Sequence, residues 1–512
     1  MKSWLGRGKS LQFGITICCL SAFILFDYEQ GVFGPILRNE NWLNQFKHPS
    51  DSETGIIVSC YNLGCLVGCI VNFVFGEKLG RRKCIWIAMI WVLVGTILQT
   101  SAFSVPHLVI ARIITGVGTG LKSSTVPTYQ SELCPPSSRG RLVSAEVLFV
   151  GIGIAVAYWF NFGMSFVSGS IAWRLPIAMQ AAMAIGVIIL VLALPESPRW
   201  LFRHGRDEEA MDVLCLVYDK DPTDEFINAE RAAILHALDV ESETETPFWA
   251  VFKNDEIRTG YRVFLAWLIQ LMNQICGINL IVYYIPTVLE LNVGLEHQLS
   301  QILGGCINLM FAVGSILPTI ALDRLGRRQT MLWGCAGLGV CMVMVSGLLS
   351  QADGGATARG TNFATASVAF FFLYMLIYGA SVNCVPWVYV PELAPLNVRT
   401  QCTAIGISSN WLWNFTVAMI TPVIITRLQW KAYLIFAATN AVFVPIVYFL
   451  YPETSNLRLE EVDLIFKTGR NPVTVGRELV AQRRQEMKAG VTTGTAFDDM
   501  EKTTGTVQHR ER

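Results

Sequence analysis

The sequence predicts an all-α membrane protein with twelve transmembrane helices in two six-helix halves. Three observations carry that prediction: the composition, the spacing of the apolar runs, and an internal repeat. Of 512 residues, 52% are hydrophobic and only 15% are charged, whereas soluble domains carry about 25% charged residues. The mean hydropathy of +0.44 agrees, so lipid is the main solvent. Basic and acidic side chains cancel at 39 each, which leaves no global electrostatic case for binding nucleic acid. With 28 Phe, 14 Trp and 14 Tyr, a disordered chain is excluded. Most of the 14 Cys sit in apolar runs without zinc-like or redox spacing, so a disulfide framework is not expected.

Apolar runs of about 20 residues are long enough to cross a bilayer, and in lipid only a helix satisfies such a backbone internally. Twelve are expected, at 12–36, 55–76, 84–104, 107–130, 141–164, 171–194, 262–287, 298–322, 330–350, 365–390, 400–425 and 430–450. Lys2, Arg7 and Lys9 precede the first run in the manner of a signal peptide. No small-residue cleavage site follows and the run continues through Phe26–Gly31, so an uncleaved first span is expected. Basic residues set the orientation. Lys78, Arg81, Arg82 and Lys83 lie between spans two and three, Arg139 and Arg141 follow span four, and Arg324, Arg327 and Arg328 follow span eight. The alternate loops are poor in Lys and Arg, so both termini and the polar insertion are expected in the cytoplasm, with the plasma membrane as location. The expected organisation is a first half at 1–194, a cytoplasmic linker at 195–261, a second half at 262–465 and a disordered cytoplasmic tail at 466–512.

The halves echo each other. Gly80 recurs at Gly326, an offset of 246; Glu132 recurs at Glu392, an offset of 260; Glu196 recurs at Glu453, an offset of 257. Each pair stands within a matching motif, such as GEKLGRR against LDRLGRR. Two parallel six-helix repeats are a transporter arrangement, with the site near the midplane between them. The run Gly116-x-Gly118-x-Gly120 lies within an apolar helix and follows no strand, so it reads as close helix packing rather than a nucleotide loop. No metal spacing or convergent catalytic set appears, so neither an enzyme, a cofactor nor a metal is expected.

At this point the residues are recognisable. Gly80-Arg81-Arg82, Pro127-x-Tyr129-x-Ser131-Glu132, Arg139-Gly140 and Pro195-Glu196-Ser197-Pro198-Arg199-Trp200 occur in order in the first half. Gln274-x-x-Gly277-x-Asn279-x-x-x-Tyr283-Tyr284, Asp323-Arg324-x-Gly326-Arg327-Arg328, Pro386-Trp387 and Pro452-Glu453-Thr454 occur in the second. From about residue 12 to 465 the chain resembles the sugar porters of the major facilitator superfamily, especially the fungal members. The resemblance implies the major facilitator fold and alternating access. It also implies import of a monosaccharide, hexose or pentose, by proton symport, with sugar, proton and the lipid bilayer as the partners. Oligomeric state is left open, a monomer being sufficient.

Polar residues in mid-span are costly and are functional candidates by default. Span seven offers Asn273, Gln274, Asn279, Tyr283 and Tyr284, with Gly277 permitting a local break. Amide side chains both donate and accept, which suits sugar hydroxyls, although glue between helices is the plainer role. By resemblance Gln274 and Asn279 contact the sugar, Tyr283 and Tyr284 gate the outer side, and Trp387 and Asn410 line the cavity. Asn273 and Asn383 stand where the family has other residues, and are taken as substrate-binding positions with Tyr283.

Glu29 lies deep in span one, where proton-coupled relatives carry Asp; the resemblance makes Arg112 its partner and the pair the proton-coupling site. Asp27, about 200° around the helix from Glu29, falls outside that expected site. Lys122 in mid-span four needs an anion: either Glu146 pairs with it structurally, or an anionic substrate such as a sugar acid does. At the span ends Arg82, Glu132, Arg139, Glu196, Arg328, Glu392, Arg399 and Glu453 form an expected cytoplasmic charge network that ties helices in one state and releases them in the other. A proton-coupled carrier of uronate, quinate-like acids or polyols is the rival within transporters. A non-transporting sugar sensor is the rival outside them.

Overall fold

The computed structural model describes residues 6–134, 139–243, 248–352, 357–395, 398–457 and 459–488. Every regular element among the described residues is helical. The first half contains Lys9–Gly31 (span one, extended by Phe33–Ile36), Asp51–Leu79 (two), Arg81–Thr100 (three), Val105–Leu133 (four), Arg139–Met164 (five) and Ile171–Ala193 (six). The second contains Thr259–Ile275 with Ile278–Val288 (seven), His297–Leu325 (eight), Arg327–Ser350 (nine), Ala358–Ala380 with Cys384–Leu393 (ten), Arg399–Leu428 (eleven) and Ala432–Leu450 (twelve). Ten segments are long and apolar enough to cross a membrane, one of which, Arg399–Leu450, holds spans eleven and twelve. Val105–Leu133, the carrier of Arg112 and Lys122, brings the number to twelve.

Glycine sets the closest approaches. A Cβ on Gly64 of span two would stand 2.2 Å from the Ile113 carbonyl oxygen of span four, and one on Gly116 equally close to the Tyr61 carbonyl oxygen. The glycine run of span four is therefore a packing surface. The halves meet through spans two and eleven and through spans five and eight. At the first seam Gly55 abuts the Met419 backbone, and at the second Gly151 abuts Ala312.

Two membrane helices are broken near their middles. Span seven breaks at Gly277, whose φ of +110° disfavours any residue with a side chain. Carbonyls freed by such a break must find partners inside lipid. The Cys276 carbonyl accepts from Asn440 Nδ2 at 2.7 Å and from the Tyr374 hydroxyl at 3.1 Å. Span ten breaks between Ala380 and Cys384.

The polar insertion carries three α-helices, Pro198–Arg203, Asp207–Tyr218 and Glu225–Glu243. The expectation of disorder from residue 466 is corrected over its first part. Helix Leu459–Lys467 runs across that boundary, and a second helix spans Pro472–Lys488. Val473, Val475, Leu479 and Val480 are buried, and Gly476 packs on the backbone of Glu453. Val475 and Leu479 stand one helical turn apart and Val473 and Val480 two turns apart, the spacing of a docked helix face.

Candidate functional site

The chain turns Gly80-Arg81-Arg82 and Gly326-Arg327-Arg328 lie on one face of the molecule, called here the basic face. Both glycines have positive φ, +85° and +89°. A Cβ on Gly80 would stand 2.7 Å from Glu196 Oε2, and one on Gly326 would stand 2.6 Å from Glu453 Oε2. Each glutamate accepts hydrogen bonds from the backbone N–H groups of the two arginines beside it. Burial pushes the Glu196 carboxyl up, and the N–H groups of Ser197, Arg82 and Arg81 offset part of that rise.

The repeat extends to the ion pairs, but through the first arginine of each motif. Arg81 grips Glu132 in a bidentate pair, with both contacts at 3.1 Å, and reaches Glu77 at 2.7 Å. Arg327 grips Glu392 at 2.8 and 3.2 Å and reaches Asp323 at 2.8 Å. Arg82 and Arg328 instead cap helix ends: Arg82 donates to the Val191 and Leu192 carbonyls, and Arg328 donates to the Tyr448 carbonyl. Successive helical residues diverge by about 100°, and the two adjacent arginine side chains take different partners. Arg399 stands at the start of span eleven. The side chain of Arg139 lies outside the described residues.

Deep in the first half, Glu29 is 1% exposed and accepts from the Tyr61 hydroxyl at 2.8 Å and from the Thr119 hydroxyl. Its partner cation is Lys122, also 1% exposed, with Nζ 3.3 Å from Oε1. Two expectations are corrected here. Arg112 does not pair with Glu29; it donates to the Val58 carbonyl at 2.9 Å and its guanidinium lies 4.1 Å from the Phe33 ring centre. On span four, Arg112 stands seven residues, about 10 Å, from Thr119, so Thr119 and Lys122, three residues apart, share the Glu29 level instead. Nor does Glu146 pair with Lys122. Glu146 is buried, with its Oε1 lacking a hydrogen-bond partner.

The predicted polar residues of spans seven and eleven converge in the second half. Asn410 Nδ2 donates to Gln270 Oε1 at 2.7 Å and lies 3.4 Å from Asn273 Oδ1. Gln274 Nε2 donates to Asn273 Oδ1 at 2.8 Å, and Asn279 Nδ2 donates to Gln274 Oε1 at 2.9 Å. Five amides thus form one chain across the break at Gly277. Asn273 is anchored to span ten through the Val382 carbonyl at 2.8 Å. Beside it, Asn383 is buried with an unpartnered Nδ2, and Trp387 is half-buried. Amide donors and acceptors in series can be exchanged one for one with the hydroxyls of a polar ligand.

Toward the face opposite the basic one, polar contacts join the halves. The Tyr283 hydroxyl lies 2.8 Å from Gln30 Oε1 of span one and 3.2 Å from Asn414 Oδ1 of span eleven. Asn62 of span two donates to the same Asn414 oxygen at 2.8 Å. Tyr158 of span five donates to the Val282 carbonyl at 2.7 Å, and Arg38 reaches Glu290 at 2.5 Å. Tyr284 stays within the second half, donating to the Ala418 carbonyl at 2.8 Å.

Sequence reasoning missed Arg81 and Arg327, Gln270, the Tyr61 and Thr119 donors, and the Asn62–Asn414 bridge. The first pair was legible, since the 246-residue offset maps one arginine onto the other. Gln270 was legible too, one turn before Asn273 and Gln274 on span seven. The bridge joins residues 352 positions apart and had no local signal.

Residues 8–466 match the family model described as sugar (and other) transporter. The sugar transporter STL1 of Saccharomyces cerevisiae is 33% identical over 98% of this chain and 90% of its own. A probable quinate permease of Aspergillus fumigatus is 31% identical over 87% and 85%. The proton:xylose symporter XylE from E. coli, solved with 6-bromo-6-deoxy-D-glucose, has the same fold at TM-score 0.75, with 22% identity over 90% of this chain and all of that one.

Proposed function

The chain belongs to the sugar transporter family of the major facilitator superfamily, and we propose that it carries a monosaccharide, a hexose or pentose, inward with a proton. It is a multi-pass membrane transporter and not an enzyme, as its relatives are. The observation that carries the proton reading is the Glu29–Lys122 pair, a carboxylate and an ammonium each 1% exposed in mid-membrane. Intramembrane ionisable pairs mark ion pathways and proton relays. Protonating Glu29 removes the charge that neutralises Lys122 and so biases spans one and four toward a different arrangement. The hydroxyls of Tyr61 and Thr119 remain to bond the neutral acid, so the group can change charge without losing every partner.

The sugar occupies the amide chain, with Gln270, Asn273, Gln274, Asn279, Asn383 and Asn410 supplying donors and acceptors and Trp387 an apolar face. The basic face is taken as cytoplasmic and the membrane as the plasma membrane, with both termini inside. On that reading the Tyr283–Gln30 and Asn62–Asn414 contacts close the outer side, while the arginine–glutamate networks each stay within one half. The outer side opens by breaking the first set, and the networks then hold the cytoplasmic ends in register. All of these groups come from one chain, so a monomer suffices. The test is uptake of radiolabelled hexoses, pentoses, polyols and uronates in a transporter-deficient host, with and without an uncoupler. Uncoupler-sensitive accumulation of a hexose or pentose is expected; preferential uronate uptake, or no uptake at all, overturns the reading in favour of a sugar-acid carrier or a sensor.

A further inference from the structure

Span one carries a second buried carboxylate that neither the ion pair nor the gate uses. Asp27 is 3% exposed and has no hydrogen-bond partner among the described residues. Its direction follows from its neighbours on the helix. Phe26 meets Trp411 of the second half edge-on at 5.6 Å, and Gln30 meets Tyr283. Ile24, Tyr28 and Gly31 lie on the opposite flank, packed on Gly153 and Ile154 of span five. At about 100° per residue, Asp27 stands about 60° beyond Gln30 and about 40° short of Gly31, in the groove between span five and the second half. It is within electrostatic range of Lys122 and Glu29 in its own half and of Tyr283 and Tyr378 in the other. The residue that sequence reasoning placed outside the site thus stands at the seam between the halves, near Tyr283 and Tyr378 of the second.

We propose that Asp27 is a specificity-determining residue that accepts hydrogen bonds from the hydroxyls of an uncharged sugar and excludes sugar acids from the same cavity. The inference rests on the sugar-transport reading above and names the charge class of its substrate. A carboxylate is an acceptor with two oxygens, suited to two adjacent hydroxyls, and its hydrogen bonds are roughly twice as strong as those between neutral groups. The amide chain presents mixed donors and acceptors, and Asp27 adds two carboxyl oxygens from span one. An anionic substrate would need a free cation. Lys122 is already held by Glu29, and Arg112 is held by Val58 and covered by Phe33 and Tyr61. The carboxylate of a sugar acid would meet Asp27 without compensation.

The test compares wild type with Asp27→Asn, Asp27→Glu and Asp27→Ser in proteoliposome counterflow, using D-glucose and D-xylose as substrates and D-galacturonate as competitor. Asp27→Asn should raise KM for the neutral sugar at least tenfold with Vmax within twofold, and should strengthen galacturonate inhibition at least tenfold. Asp27→Glu should restore the weak galacturonate inhibition of wild type. If Asp27→Asn fails to fold, Asp27→Ser gives the same two readings. Unchanged KM and unchanged inhibition in a folded variant overturn the inference alone. No counterflow of either sugar by wild type overturns the transport reading, and the inference with it.

Discussion

Replacing Lys122 with methionine removes one member of a fully buried ion pair while keeping an unbranched stem one atom shorter. The two charges lie 3.3 Å apart, which at an effective dielectric of about 20 corresponds to about 5 kcal/mol of attraction. Breaking a buried pair from one side costs about 3–5 kcal/mol, because the other charge is left uncompensated. Glu29 keeps the Tyr61 and Thr119 hydroxyls, and hydrogen bonds to charged groups contribute about 1.5–3 kcal/mol each. The Lys122→Met variant should therefore lose about 3 kcal/mol, near the lower end of the range for a broken pair. Glu29→Gln alone leaves the ammonium stranded and should cost a similar amount. The double variant removes both charges and leaves Gln able to accept from the same hydroxyls, so it should lose well under the sum of its singles, with a coupling energy of about 2–3 kcal/mol. Intrinsic fluorescence during denaturant unfolding in detergent measures all four proteins. A double variant as unstable as the sum of its singles would refute the pairing.

Three further outcomes follow from the geometry. Gly326→Ala should lower stability by about 1–3 kcal/mol, from the positive φ and from displacing Glu453, as the cost of holding an unfavourable backbone conformation suggests; an unchanged unfolding midpoint would contradict it. Asn62→Leu removes one bridge between the halves and should increase hydrogen exchange at the ends of spans two and eleven away from the basic face, whereas equal exchange would show that the bridge does not hold the halves together there. Truncation after residue 468 exposes the groove that buries Val473, Val475 and Leu479 and should lower the unfolding midpoint; identical midpoints would mean that the last helix is not docked.

The twelve spans and the duplication were legible because lipid leaves the backbone few choices and because the same motif is written twice. Gly80 and Gly326 illustrate this: the repeat located both, and the structure adds that their missing side chains make room for Glu196 and Glu453. The amide chain was legible in its members, since a mid-span Asn or Gln stands out against apolar neighbours. Partner choice was not legible. Arg112 and Lys122 are both cations on span four, and only the depth at which spans one and four cross decides between them for Glu29. Asp27 escaped for a related reason. Its angle from Glu29 was read correctly, but what lies at that angle depends on how span one sits between span five and the second half. The tail was misjudged because its polar composition outweighed four apolar residues at helical spacing.

The central claim is that Glu29 carries the proton. Glu29→Gln in proteoliposomes, driven by an imposed pH gradient with the sugar identified from the uptake panel, tests it most directly. The account predicts that counterflow exchange persists while accumulation against a gradient, and its dependence on pH, disappear. Uphill accumulation by Glu29→Gln at the wild-type level would contradict it.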